Sequence, residues 1–227
     1  MHTIFWAGDS TVQTNDYSTY PQTGIGQVFP LFLKENYRVE NHAKNGRSTK
    51  SFIDEGRLRR IEEQIGEGDF FFIQFGHNDE KKEDPDRYTQ PFSSFIENLG
   101  RFILSARERG AYPVLITPLE RRLFNEAGCL EPSKHEDYVK GMELAAERWN
   151  VPMVNLYRMS REALMKAGEQ ESRKWYMFFP ANTYERHPEE SRDNTHLRYE
   201  GAVLYGSLIA EELRKLGGIY KELLLEY

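Results

Sequence analysis

Residues 5–12 read FWAGDSTV. The apolar run Ile4-Phe5-Trp6-Ala7 carries no polar alternation, which is the mark of a strand covered on both faces. It stops at Gly8-Asp9-Ser10-Thr11. Strands of this kind belong to parallel sheets with helices on each side, and such sheets bind ligands outside the carboxyl ends of their strands. An acid and two hydroxyls at that point therefore read as part of a site.

The rest of the chain follows the same rhythm. Gly24–Glu35 places Ile25, Val28, Phe29, Phe32 and Leu33 at helical spacing. Tyr37–His42 reads as a second strand and Arg57–Ile65 as a short helix. Asp69–Phe75 is a third strand, apolar on both faces. Phe92, Phe95, Ile96, Leu99, Ile103 and Ala106 mark a long helix ended by Gly110. Pro113–Thr117 is a fourth strand, closed by Pro118. Tyr138–Trp149 is a helix and Pro152–Leu156 a fifth, edge strand. Helices follow near Met159–Ala167 and Glu200–Leu216. This βα alternation predicts an α/β fold with a five-stranded parallel sheet between two helical layers, a three-layer α/β/α sandwich. No repeat, low-complexity segment or Pro/Gly-rich linker interrupts residues 1–227, so one domain is expected.

Thirty Lys+Arg against 36 Asp+Glu give a net charge of −6, which argues against a nucleic-acid binder or an anionic-membrane binder. Cys129 is the only cysteine, so neither an intrachain disulfide nor a cysteine zinc site is available. No apolar stretch approaches the ~20 residues of a membrane span. The first strand begins at once, with no charged segment and apolar region ahead of it, so a cytoplasmic location is expected. The sequence implies no cofactor and leaves the oligomeric state open.

Five polar clusters should meet on one rim. They are Gly8–Thr11, Asn41–Ser48, Gly76–Asp79, Thr117–Arg122 and Asp193–His196. A hydroxyl becomes a nucleophile when a base is in reach and donors await the oxyanion. Ser10 is the candidate nucleophile and His196 the candidate base. Asp193, three residues earlier, is placed to hold the imidazole. The N–H groups of Ser10 and Gly46 and the Asn78 amide are candidate oxyanion donors. Each residue also has an ordinary use: Ser10 as a turn or cap, Asp193 and His196 as caps, Gly46, Asn78 and Asp79 as turn formers. Their joint placement and order carry the reading. His77 and Arg121 or Arg122 are candidate substrate-binding residues, one arginine being expected to face the cleft. The alternative for this pair is structural, one arginine bridging an acid such as Asp79 or Glu120.

"GDST", "NGRS", "GHND" and "DNTH", in that order, resemble the four blocks of the SGNH (GDSL-like) hydrolases over essentially the whole chain. Thr11 in place of the usual leucine, "AKNGRSTKSFIDEGR", "FGHND" and "TPLERRLF" are similar to the rhamnogalacturonan acetylesterase branch. The resemblance implies a flavodoxin-like SGNH fold. It also implies Ser10 as nucleophile, Gly46 and Asn78 in the oxyanion hole, and Asp193 and His196 as acid and base. Its implied partner is an acetylated pectin oligosaccharide. "GIG" at Gly24–Gly26 departs from the branch, where an aromatic is expected between the glycines to wall the substrate site.

Two rival readings differ in class. A metal-dependent phosphoesterase would use Asp9, Asp79 and Asp193, but "GHND" has His before Asn, and no D-x-H or H-x-H completes two metal sites. A catalytically inactive carbohydrate-binding module would have no need of all five catalytic positions. Rim cations on an acidic chain (Lys44, Arg47, Lys50, Lys81, Lys82, Arg121, Arg122, Arg186, Arg192) suit an acidic sugar, though Glu80, Glu83, Glu120, Glu189 and Glu190 offset them.

Overall fold

The strand that opens the chain lies at the centre of the molecule. In a computed structural model, which describes residues 2–226, β1 (His2–Gly8) is flanked in parallel by β2 (Tyr37–Asn41) and β3 (Phe70–Gln74). β4 (Tyr112–Ile116) and β5 (Met153–Val154) complete the sheet in the order β2-β1-β3-β4-β5. This is the flavodoxin-like order, and its direction reverses between β1 and β3.

Strand alternation divides the core in two. Ile4, Trp6, Phe70 and Phe72 face one layer, formed by α1 (Ile25–Val28), α6 (Leu156–Ser172) and α7 (Tyr199–Leu216). Phe5, Ala7, Phe71 and Ile73 face the other, formed by α2 (Thr49–Asp54), α3 (Arg57–Glu62), α4 (Ser94–Glu108) and α5 (Glu136–Trp149). A last short helix, α8, covers Gly218–Glu222. Among the described residues no helix is long and apolar enough to cross a membrane.

Prolines explain two details. Tyr112 donates its N–H to Asp69 on the β3 side and Leu115 donates to Pro152 on the β5 side, so Pro113 turns its missing donor toward β5, below where β5 begins. The helix expected over Gly24–Glu35 is broken: α1 ends at Val28, and Phe29–Phe32, with Pro30 near its start, forms a 3₁₀ turn. Gly168, at φ 73°, interrupts α6 one residue after the end expected at Ala167.

A second, two-stranded antiparallel sheet was not expected. β6 (Tyr176–Phe179) pairs with β7 (Ser191–Leu197), so Asp193–His196 lies within a strand rather than in a plain loop.

Candidate active site

Every residue of Gly8–Thr11 has a distinct task. A Cβ on Gly8 would lie 3.0 Å from both the Gln74 carbonyl and a Val12 methyl, so a larger residue here would crowd the neighbouring strand and the turn. The buried Asp9 accepts from the Thr11 N–H at 2.9 Å and the Thr11 hydroxyl at 2.8 Å, an Asx-turn that closes the bend. Val12 and Gln13 donate to the Asp9 carbonyl. Ser10 is left at the top of β1, at the point where strand order reverses.

The base comes from the small sheet. Tyr176 pairs with Leu197 and Phe178 with Arg192, so one residue of β6 stands opposite four of β7. Those four, Asp193–His196, bulge out together. Asp193 Oδ1 accepts the N–H groups of Thr195 and His196 at 2.7 and 3.0 Å, which shapes the bulge. Its Oδ2 lies 2.6 Å from His196 Nδ1, and His196 Nε2 lies 3.0 Å from Ser10 Oγ. Burial pushes the Asp193 carboxyl up, but the hydrogen bond and charge of His196 and the two N–H groups outweigh it. The carboxyl stays below its ordinary range.

Gly46 adopts φ +76°, a left-handed conformation that favours glycine. Among the described residues the backbone N–H groups of Ser10 and Gly46 find no acceptor within the chain. Asn78 is buried, its Nδ2 donating to the Arg47 carbonyl at 3.1 Å and its Oδ1 accepting from Arg87 Nη1 at 3.3 Å.

Asp79 lies beneath this group. It accepts from the Thr49 N–H and hydroxyl and from the Thr89 hydroxyl, tying the loop after β3 to the start of α2. Burial raises its pKa to about 7 against these hydrogen bonds. Asp9 and Asp79 thus serve local hydroxyls, and among the described residues no group of three His, Cys, Asp or Glu side chains is gathered as a metal site would need.

The candidate substrate-binding residues differ in their placement. His77 is buried, edge-on to the ring of His135 with centroids 4.3 Å apart, and burial pushes its pKa well down. His135 Nδ1 meets Glu80 at 2.7 Å, and Arg121 meets the same carboxylate at 2.9 Å. Arg122 is turned away from solvent. Its guanidinium donates to Ser172 Oγ, Asn194 Oδ1 and the Glu169 carbonyl and stacks on Phe178. With its donors taken by the protein, Arg122 serves the fold of the bulge and not an open cleft. Arg122 thus takes the structural place, with Glu169 as its acid, while Arg121 pairs with Glu80, donates its backbone N–H to Glu120 Oε1 and keeps its side chain on a neighbouring hollow. Ile25, the residue between the two glycines of "GIG", is fully buried in the core and walls no cleft.

Residues 4–209 match the model of the GDSL-like lipase/acylhydrolase family. The chain belongs to that family. It is 40% identical over 214 residues to rhamnogalacturonan acetylesterase RhgT of Bacillus subtilis, covering 94% of this chain and 90% of the relative. It is 38% identical to the probable rhamnogalacturonan acetylesterase YesY of the same organism, covering 94% and 93%. Among solved structures, protein YxiM of Bacillus subtilis superposes with a TM-score of 0.81 at 25% identity, over 95% of this chain and 57% of that one. The GDSL-family chain is thus a carboxylic ester hydrolase.

Sequence reasoning passed over Arg87 and the Glu80–His135 pair. Arg87 lies in Lys81–Arg87, where mixed charges read as a solvated loop. His135 lies outside the five polar clusters, yet it is 1% exposed. No local pattern announces Arg87, because its placement depends on the return of its loop to Asp79 through Thr89.

Proposed function

We propose that this GDSL-family hydrolase removes O-acetyl groups from carbohydrate, with acetylated rhamnogalacturonan oligosaccharides as its substrate class. The observation that carries the reading is the unbroken chain from Ser10 Oγ through His196 to Asp193, at 3.0 and 2.6 Å.

Ser10 Oγ attacks the acetyl carbonyl carbon while His196 Nε2 takes its proton. Asp193 holds the imidazole tautomer and stabilises the imidazolium. The carbonyl oxygen becomes an oxyanion, held by the N–H groups of Ser10 and Gly46 and by Asn78 Nδ2. Collapse expels the sugar oxygen, which His196 protonates. Water, deprotonated by His196, then attacks the acetyl-serine and releases acetate.

The names of RhgT and YesY support the sugar class. Local charge adds a smaller support. Arg121, Lys81, Lys82 and Lys134 line a hollow of about 710 Å³ that Glu80, Glu83 and Asp137 also line, so basic groups outnumber acidic ones there by one. Such a hollow suits uronate carboxylates.

The test is acetate release from acidic and neutral acetylated oligosaccharides, with Ser10→Ala as control. Release from rhamnogalacturonan fragments well above that from neutral ones is expected. Equal release from both sets would remove the preference for an acidic sugar. No release from any sugar ester, with a simple aryl acetate still cleaved, would remove carbohydrate altogether.

A further inference from the structure

The segment from Asp79 to Thr89 leaves and returns at one point. Thr89 donates its N–H to the Asp79 carbonyl at 3.1 Å and its hydroxyl to the Asp79 carboxyl at 3.0 Å. The Tyr138 hydroxyl reaches the carbonyls of Asp79 and Thr89 at 2.8 and 2.6 Å. Two residues before the loop closes stands Arg87. Its Nε donates to Asp84 at 2.5 Å and its N–H to the Asp84 carbonyl at 3.0 Å, so the side chain leaves a fixed base. Its Nη1 meets Asn78 Oδ1 at 3.3 Å and lies 3.6 Å from where a Cβ on residue 46 would be. The guanidinium therefore stands beside two of the three residues read as oxyanion donors, Gly46 and Asn78.

The chemistry of an amide makes this contact consequential. The two ends of Asn78 are alike in shape, but only Nδ2 donates. Rotated by half a turn, the amide would present an oxygen lone pair to the developing oxyanion. Arg87 has no acceptor and can face only Oδ1; the Arg47 carbonyl has no donor and can face only Nδ2. One Nδ2 hydrogen is spent on Arg47, and the other remains.

We propose that Arg87 is a positioning residue for the oxyanion hole. It holds the Asn78 amide with Nδ2 toward Ser10, and its charge polarises that amide as a donor. The inference rests on the reading of Asn78 as an oxyanion donor, and the experiment separates the two.

Rates on p-nitrophenyl acetate, which carries no carboxylate for an arginine to bind, are compared for native enzyme, Arg87→Met, Arg87→Lys, Asn78→Ala and the double variant Arg87→Met/Asn78→Ala. Thermal melts accompany each. Arg87→Met is expected to lower kcat about 10-fold with KM within about twofold, a fraction of the loss for removing a whole oxyanion donor. Arg87→Lys should recover part of the loss. In the Asn78→Ala background the arginine change should cost nothing further, because there is no amide left to hold. Phenylboronic acid, whose adduct on a serine mimics the tetrahedral intermediate, should bind Arg87→Met more weakly by a similar factor. An undiminished loss in the Asn78→Ala background, or a loss confined to KM, overturns the inference. So does an inert Arg87→Met beside an impaired Asn78→Ala. Full activity of Asn78→Ala overturns the oxyanion reading of Asn78 and the inference with it.

Discussion

Arg122 and Asn194 are joined twice: the Arg122 backbone N–H donates to the Asn194 carbonyl at 2.9 Å, and its Nη1 donates to the Asn194 side-chain oxygen at 3.1 Å. Asn194 sits between Asp193 and Thr195, so this buried arginine grips the middle of the bulge that carries the base. Arg122→Met should destabilise the fold by about 3 kcal/mol, the scale for losing hydrogen bonds from a charged group. It should also lower kcat for p-nitrophenyl acetate and for acetylated oligosaccharides by the same factor. Urea unfolding and paired rate measurements check this. A rise in KM for acidic oligosaccharides alone, at unchanged stability, would return Arg122 to the substrate.

Ser10→Ala should lower kcat by roughly 10⁴–10⁶ while leaving thermal stability close to native, since the hydroxyl serves catalysis and not the turn. A serine-directed phosphonate should label Ser10 and no other residue. Peptide mapping that finds the label elsewhere, with Ser10→Ala still active, would end the serine mechanism.

Asp193→Asn retains Oδ1 for the N–H groups of Thr195 and His196 but turns an amide donor toward Nδ1. On the template of Ser-His-Asp enzymes kcat should fall on the order of 10⁴-fold. Because the Asp193 carboxyl lies below its ordinary range, it keeps its charge on mild acidification. A rate for Asp193→Asn close to native would dismiss Asp193 as the group that orients His196.

The buried Asp79 makes stability depend on pH. Its pKa rises from an ordinary 3.8 to about 7 in the folded chain. Between these values the folded chain holds a proton that the unfolded chain has released. Stability from this group is therefore full below pH 3.8 and is lost as pH rises toward 7, by up to about 1.4 kcal/mol per pH unit. Asp79→Asn removes that slope. The variant should gain on the native protein from pH 5 to pH 7 in urea unfolding, with the gap steady at higher pH. Parallel stability profiles across that range would assign Asp79 the same charge folded and unfolded.

The sheet was legible because Ile4–Ala7 and Phe70–Phe75 are apolar at successive positions, which only a doubly covered strand needs. The site was legible because its side chains cluster where such strands stop. β7 was not, because Ser191–Leu197 is largely polar and its strand geometry comes from pairing with Tyr176–Phe179. Which of Arg121 and Arg122 turns inward was not legible, for a related reason: it is Arg122. Its burial depends on Ser172, Phe178 and Asn194, all fifty or more positions along the chain, and no local pattern announces them. Pro30 was a legible break in the helix after Gly24, outweighed by apolar spacing that a 3₁₀ turn also satisfies.

The β6–β7 hairpin separates two kinds of variation. Pairing of Phe179 with Ser191 clamps its base, so residues 180–190 form a tip whose length does not enter the register of the strands behind it. Residues inserted or removed at that tip should reshape its contacts with Tyr17 and Tyr20 without displacing Asp193 or His196. One residue gained or lost between Arg192 and Leu197 changes the separation of acid from base or of base from nucleophile. The same hairpin thus offers a tolerant end for altering what is bound and an intolerant end for preserving what is done to it.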